Sequence, residues 1–148
     1  MHTAEDLVAL LRARGKKVTA QRVLIYRALL GDRSHPTAEQ IHSRLKEQLP
    51  GLSLTTVYAA LNELVQAGEA RRFDAGDGSV HYDPEMRPHA ELVCVECGRI
   101  DDAPFERAPK QTPAEVAGYQ VLRRTELLHG VCPDCQRKRS GAPVTSGC

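Results

Sequence analysis

Four of the five cysteines in this 148-residue chain fall into two Cys-x-x-Cys pairs, Cys94-Val95-Glu96-Cys97 and Cys132-Pro133-Asp134-Cys135. Four thiolates at about 2.3 Å fill the tetrahedral shell of Zn²⁺ and leave no open position, so the spacing predicts a closed, structural zinc site, one per subunit. The 34 residues between Cys97 and Cys132 are more than a compact zinc ribbon needs. The metal must therefore tie the start of a subdomain to its end. The competing reading is a redox disulfide, but a thioredoxin-type motif needs one Cys-x-x-Cys beside a βαβ unit, not two pairs in an α+β setting. Cys148 has no partner spacing and is expected to be a free thiol.

The quartet divides the chain, and the residues ahead of it need a separate account. Four short helices are expected there. Thr3 caps the first, with Asp6 at its third position and Leu7, Leu10 and Leu11 as its apolar stripe, and Gly15 stops it. Thr19 starts the second, with Val23, Leu24, Leu29 and Leu30 apolar. Thr37 and Gln40 form a capping box for the third, which buries Ile41 and Leu45. Ser53 caps the fourth, Leu54 to about Ala67, which turns Val57, Leu61, Leu64 and Val65 inward. Its opposite face carries Thr55, Tyr58, Ala59 and Asn62, small or hydrogen-bonding and uncharged. Such a face is either that of an ordinary amphipathic helix or one that suits a DNA major groove. Two strands, 69–74 and 79–83, joined at Ala75-Gly76-Asp77-Gly78, complete the order of a winged helix-turn-helix.

The hinge is placed at 84–88, where Pro84 and Pro88 bracket a short linker. It separates a DNA-binding domain over 1–83 from a second domain over 89–136. In the second domain 89–97 and 99–103 read as strands, Thr112-Pro113 opens a short helix to Gly118, and 119–131 reads as one long strand. The fold class is α+β: an N-terminal winged helix-turn-helix domain plus a small C-terminal α+β domain with a four-cysteine zinc site. Residues 137–148 read as a flexible tail.

Composition narrows the setting. A 41% hydrophobic content with no Trp, two Phe and four Tyr makes the core aliphatic. No run approaches the roughly 20 apolar residues of a membrane span, and the N-terminus lacks a signal-peptide profile. A cytoplasmic protein is expected, in which paired cysteines serve metals more often than disulfides. The net charge of +1 hides an asymmetry: residues 1–72 carry 11 Lys and Arg against 7 Asp and Glu, and 73–148 carry 9 against 12. Arg12, Arg14, Lys16, Lys17, Arg22 and Arg27 face only Glu5 and Asp6 in the first 31 residues. A basic front half is either a polyanion-binding footprint or a solvated surface.

A second cluster of ligand-type residues lies just upstream of the first cysteine pair. In His89-Ala90-Glu91 the imidazole and carboxylate share one face of an extended segment. Asp101 and Asp102 follow on the next strand, and Asp83 sits across the linker. Mixed nitrogen and carboxylate ligands suit Fe²⁺, Mn²⁺ or Zn²⁺, while the same residues on a solvated face need no metal at all. His42 is read as a surface residue, His129 as structural, and His81 as the replacement should an assigned ligand be wrong.

Val18-Thr19-Ala20-Gln21-Arg22, His35-Pro36-Thr37-Ala38-Glu39, Ser53-Leu54-Thr55-Thr56-Val57-Tyr58 and the two cysteine pairs occur in the order seen in the ferric uptake regulator family. The chain resembles that family over about residues 3–136. The resemblance implies a dimeric, metal-dependent repressor of transcription that binds a double-stranded DNA operator, with a structural zinc and a regulatory Fe²⁺ or Mn²⁺ in each subunit, and makes the C-terminal α+β domain a dimerisation domain. It implies His35, Asp83, His89, Glu91 and Asp102 as regulatory ligands. It further implies Arg14, Lys16, Lys17 and Arg22 on phosphates, and Thr55, Thr56 and Tyr58 on bases.

Glu91 stands where many members carry His. Two histidines and three carboxylates favour Fe²⁺ or Mn²⁺ over zinc. Asp at 83 and 102 resembles the peroxide-sensing branch, in which bound Fe²⁺ reacts with hydrogen peroxide and a ligand histidine is oxidised, here His35 or His89. Regulation of manganese or iron uptake without peroxide sensing is the alternative. Pro88, Ala90 and Arg124 replace the ligands of an additional metal site found in some members, and Ala59 replaces a frequent Arg. A metalloenzyme with an open His/carboxylate site is the rival from another class. It would need an exchangeable coordination position, a pocket and a general base, none of which the sequence signals. No catalysis, small-molecule substrate or membrane association is expected.

Overall fold

Local capping starts each of the first four helices. A computed structural model describes residues 3–104 and 112–141. Helix α1 (Ala4–Ala13) and helix α3 (Ala38–Leu45) both open with full capping boxes, Thr3 with Asp6 and Thr37 with Gln40. The hydroxyls of Thr19 and Ser53 accept from third-position N–H groups of α2 (Ala20–Leu30) and α4 (Leu54–Ala67). Each cap satisfies a donor that the helix itself leaves orphaned. Helix α4 ends at Gly68 (φ +77°), where Glu69 N–H reaches the Leu64 carbonyl and Gly68 N–H reaches that of Val65. That pattern is a Schellman motif, which requires a left-handed residue.

The four helices close on one aliphatic core that includes Leu7, Leu11, Ile25, Tyr26, Leu29, Ile41, Val57, Leu61 and Leu64. Helix α2 buries Ile25, Tyr26 and Leu29, whereas Val23 and Leu24, expected inside, are only half-buried. Strands β1 (Arg71–Asp74) and β2 (Val80–Asp83) pair antiparallel, with Arg71 opposite Asp83 and Phe73 opposite His81. Tyr82 joins the helical core from β2. The result is a winged helix-turn-helix, and this compact unit runs to Met86.

The second unit begins at Arg87. Its sheet has the order β4-β3-β7: β3 (Glu91–Cys94) lies between antiparallel β4 (Ile100–Asp102) and parallel β7 (Leu127–Gly130). Ala90, Val93, Cys94, Ile100 and Ala103 are buried apolar side chains on and beside these strands, with His89 and Glu91 buried among the polar ones. This is the small α+β partner of the winged-helix unit.

Three expectations fail here. Residues 112–118 do not form a helix; β5 (Glu115–Val116) and β6 (Tyr119–Gln120) make a hairpin through Ala117 and Gly118, both at positive φ. A two-residue turn of that hand matches the twist of the strands. The strand expected over 119–131 is broken, because β5 is too short to pair with 121–126 and regular pairing resumes only at β7. Helix α5 (Pro133–Arg139) runs into the segment read as tail. Pro133 at its start, Asp134 in the first turn and Arg137, Lys138 and Arg139 in the last complement the helix dipole. Cys148 and residues 142–147 of the expected tail lie outside the described residues. Among the described residues no helix is long and apolar enough to cross a membrane.

Candidate metal centres

The parallel pairing of β3 with β7 brings the two cysteine pairs together across their sequence interval. Cys94 ends β3 opposite Gly130, two residues before Cys132, and Cys132 caps α5, which carries Cys135. On the other side Gly98 (φ +73°) turns the chain, with Gly98 N–H on the Cys94 carbonyl and Cys94 N–H on that of Arg99. All four thiols are free of disulfides, and their sulfurs lie within 4.8 Å of one another. A tetrahedron with zinc–sulfur bonds of about 2.3 Å has edges of about 3.8 Å. The Cys97 and Cys132 sulfurs are 3.8 Å apart.

The electrostatics of the quartet fit a cation. Backbone N–H groups of Cys132 and Cys97 pull the Cys94 thiol down to about 6, so that it is a thiolate at neutral pH. The hydrogen bond with Cys132 and then burial push Cys135 up to about 12. A cluster that sheds its first proton easily and its last with difficulty is one that a divalent ion would complete. Cys94, Cys97, Cys132 and Cys135 are thus built as a structural zinc site.

The other ligand-type residues divide between the two units. In the first, His35 lies in the turn before α3 and Asp83 ends β2. Both are about 2% exposed, and their ligand atoms lie within 4.8 Å of each other. Asp83 is held from two sides: Arg71 Nη2 donates to Oδ2 at 2.5 Å, and the Glu85 N–H donates to Oδ1 at 2.8 Å. Arg71 also reaches the Glu85 carbonyl through Nε at 3.1 Å. His35 is in the left-handed region at φ +54°, which is uncommon for a residue with a Cβ and clusters at functional sites.

In the second unit His89 Nε2 lies 3.1 Å from Glu91 Oε1 and 3.4 Å from Asp102 Oδ1. His89 Nδ1 donates to the Arg87 carbonyl at 2.8 Å, which leaves Nε2 turned to the carboxylates. The His89 and Glu91 side chains are almost wholly buried. Register explains the convergence, since Glu91 pairs with Asp102 across β3 and β4. Strand alternation sends Asp101 to the opposite face, where Arg99 binds it at 2.7 Å. An imidazole with two carboxylates, the His89 and Glu91 side chains buried and Asp102 partly exposed, is a donor set that a divalent cation could complete. Oxygen-rich donors of this kind fit Mn²⁺ or Fe²⁺.

His81 is no ligand. Its Nδ1 faces the His35 carbonyl at 2.8 Å and its Nε2 faces the Asp77 carboxylate at 3.2 Å. His42 is half-buried, with Nε2 at 2.7 Å from the Leu52 carbonyl, and His129 is exposed on β7.

The residues expected on DNA have mixed surroundings. Thr55 is exposed on α4, and Thr56 and Tyr58 are half-exposed beside it. Tyr58 donates to the Glu39 carboxylate of α3. Lys16 and Lys17 are exposed after α1, and exposed Arg14 donates to the Ala67 carbonyl at 3.0 Å. Arg22 is half-buried and bound to Glu63 at 2.5 Å, beside Tyr26, which donates to the same carboxylate oxygen at 2.9 Å. Residues 14, 58 and 22 thus have intramolecular roles that charge and helical periodicity do not reveal. Arg71, beside Asp83, was also missed; its place opposite Asp83 in the hairpin is the signal that finds it.

Known proteins resemble this chain. The sequence profile of the ferric uptake regulator family matches residues 13–125. The chain is 30% identical over 139 residues to a peroxide-responsive repressor of Staphylococcus saprophyticus, covering 93% of this chain and 94% of that one. Among solved structures it is similar to a peroxide-sensing regulator of Streptococcus pyogenes, at 28% identity and a TM-score of 0.55, covering 92% and 95% of the two chains. It is also similar to the ferric uptake regulator of Francisella tularensis solved with iron, at 26% identity and a TM-score of 0.64, covering 82% and 96%.

Proposed function

Because this chain belongs to the ferric uptake regulator family, we propose that it is a metal-dependent transcriptional repressor that binds operator DNA as a homodimer. It responds to Fe²⁺ or Mn²⁺ and, through oxidation of a ligand histidine, to peroxide. The observation that carries this reading is the buried His89 imidazole facing the carboxylates of Glu91 and Asp102. Those three donors suit a divalent cation, and they follow closely on the linker after the wing.

The regulatory residues are assigned as His35 and Asp83 in the first unit and His89, Glu91 and Asp102 in the second, and a divalent ion that binds the DNA-competent state better than the other would shift the chain toward it. When bound, Fe²⁺ supplies one-electron chemistry toward hydrogen peroxide that Mn²⁺ does not, which exposes His35 and His89 to oxidation. The ordering work falls to this chain: Arg71 and the Glu85 N–H orient the Asp83 carboxylate, and the Arg87 carbonyl sets the His89 tautomer.

On the DNA side Thr55, Thr56 and Tyr58 are assigned to base edges, and Arg14, Lys16 and Lys17 to phosphates. Arg22, engaged by Glu63, is assigned to the packing of α2 on α4. Exposed Leu92, Val116, Tyr119, Leu122 and Leu128 in the second unit support dimerisation there. The reading is cytoplasmic and non-enzymatic.

Gel retardation on promoter DNA tests it. Zinc-loaded protein should bind only when Mn²⁺ is added, and binding that ignores Mn²⁺ would refute the mechanism. Mass spectrometry of Fe²⁺-loaded protein after brief peroxide exposure separates the two signals. One added oxygen on His35 or His89 selects peroxide sensing; an unmodified pair selects control of metal supply.

A further inference from the structure

His81 contacts the backbone of a proposed ligand. It lies on β2, two residues before Asp83, is 7% exposed, and stacks on Phe73 with ring centroids 5.9 Å apart and planes at 27°. Its two ring nitrogens meet the His35 carbonyl and the Asp77 carboxylate, at 2.8 and 3.2 Å. The His35 carbonyl only accepts, so the ring N–H that meets it is at Nδ1, and Nε2 is turned to Asp77.

The clasped turn is an unusual one. His35 sits at φ +54° and is followed by Pro36. A residue with a Cβ stays in that region only where its surroundings over-determine it. Strand β2 supplies the restraint: Tyr82 N–H donates to the Pro36 carbonyl at 3.0 Å, Thr37 bridges to His81, and the His81 side chain takes the His35 carbonyl.

We propose that His81 is the positioning residue for His35. Its Nδ1–H holds the His35 carbonyl in the left-handed turn that sets the His35 imidazole beside Asp83, and Nε2 of the same ring lies against Asp77 in the wing loop. The inference rests on the reading of His35 and Asp83 as metal ligands and adds the group that arranges them. Groups one bond removed from a metal commonly change affinity 10–100-fold when lost.

Three variants of the full, zinc-loaded chain separate the two hydrogen bonds, each titrated with Mn²⁺ by calorimetry. His81→Asn keeps an N–H near the position of Nδ1 and gives up Asp77. His81→Gln carries its N–H out to the position of Nε2 and gives up His35. His81→Phe keeps the stacking on Phe73 and loses both bonds. The Asn variant is expected within about threefold of wild-type affinity, and the Gln and Phe variants to lose about tenfold or more. Zinc content and helical circular dichroism report folding; should the Phe variant not fold, the contrast between Asn and Gln decides. Wild-type affinity in the Gln variant, or a loss in the Asn variant as large as in Gln, would overturn the clamp while the ligand reading stands. A wild-type chain that takes up no Mn²⁺ would overturn both.

Discussion

Tyr58 and Glu39 show how a residue read correctly as outward-facing acquires a partner that its own helix does not supply. The phenol donates to the carboxylate, which raises Tyr58 to about 12 and holds Glu39 below the usual carboxylate range. The sign follows from charge: the anion favours the neutral phenol and repels the phenolate. The bond is therefore present across neutral pH, and is lost as pH rises through about 12 or falls through the lowered Glu39 value. In a Glu39→Gln variant the Tyr58 titration should move from about 12 toward 10.0, read as phenolate absorbance against wild type. An unchanged curve would mean that Glu39 does not hold Tyr58. Periodicity put Tyr58 on the outer face of its helix but could not find a carboxylate 19 residues earlier. The same limit applied to Arg22, whose positive charge was plain and whose partner Glu63 lies 41 residues on.

At the scale of elements, what depends on neighbouring residues was readable. Thr3, Thr19, Thr37 and Ser53 each announce a helix within four residues, and Gly68 announces an end. A Gly68→Ala variant should lose about 1–2 kcal/mol of stability, the cost of a Cβ in the left-handed region. Nothing lies within 4 Å of the added methyl, so the loss is conformational and not steric. Urea denaturation of the first unit checks it, and a midpoint equal to wild type would remove Gly68 from the account of how α4 ends. The segment 112–131 was misread because its strands are two to four residues long, and β7 owes its pairing to a distant partner. Leu127–Gly130 is a strand because β3 lies beside it, 36 residues away in sequence between paired positions such as Glu91 and Leu127.

For the molecule as a whole, the two units differ in what holds them. The first has a continuous aliphatic core of helices and β2, whereas among the described residues the second buries, besides His89 and Glu91, only Ala90, Val93, Cys94, Ile100, Ala103 and Cys135. A unit with so small a core depends on its metal. Stripping zinc with a strong chelator, or replacing Cys97 by Ser, should abolish the second unit's sheet while most helical signal from α1–α4 persists. Amide exchange would report this directly: fast exchange confined to residues after Arg87 is expected, and uniform loss of protection in both units would contradict it.

By itself the sequence determined the zinc quartet, the four capped helices, the hairpin and the likeness to a regulator family, because each is written in spacings that local geometry must obey. Only the tertiary structure decided that Arg71 holds Asp83, and that the His81 ring meets the His35 carbonyl. Those pairings come from strand register and from chain segments that meet only after folding. No spacing along one chain encodes them.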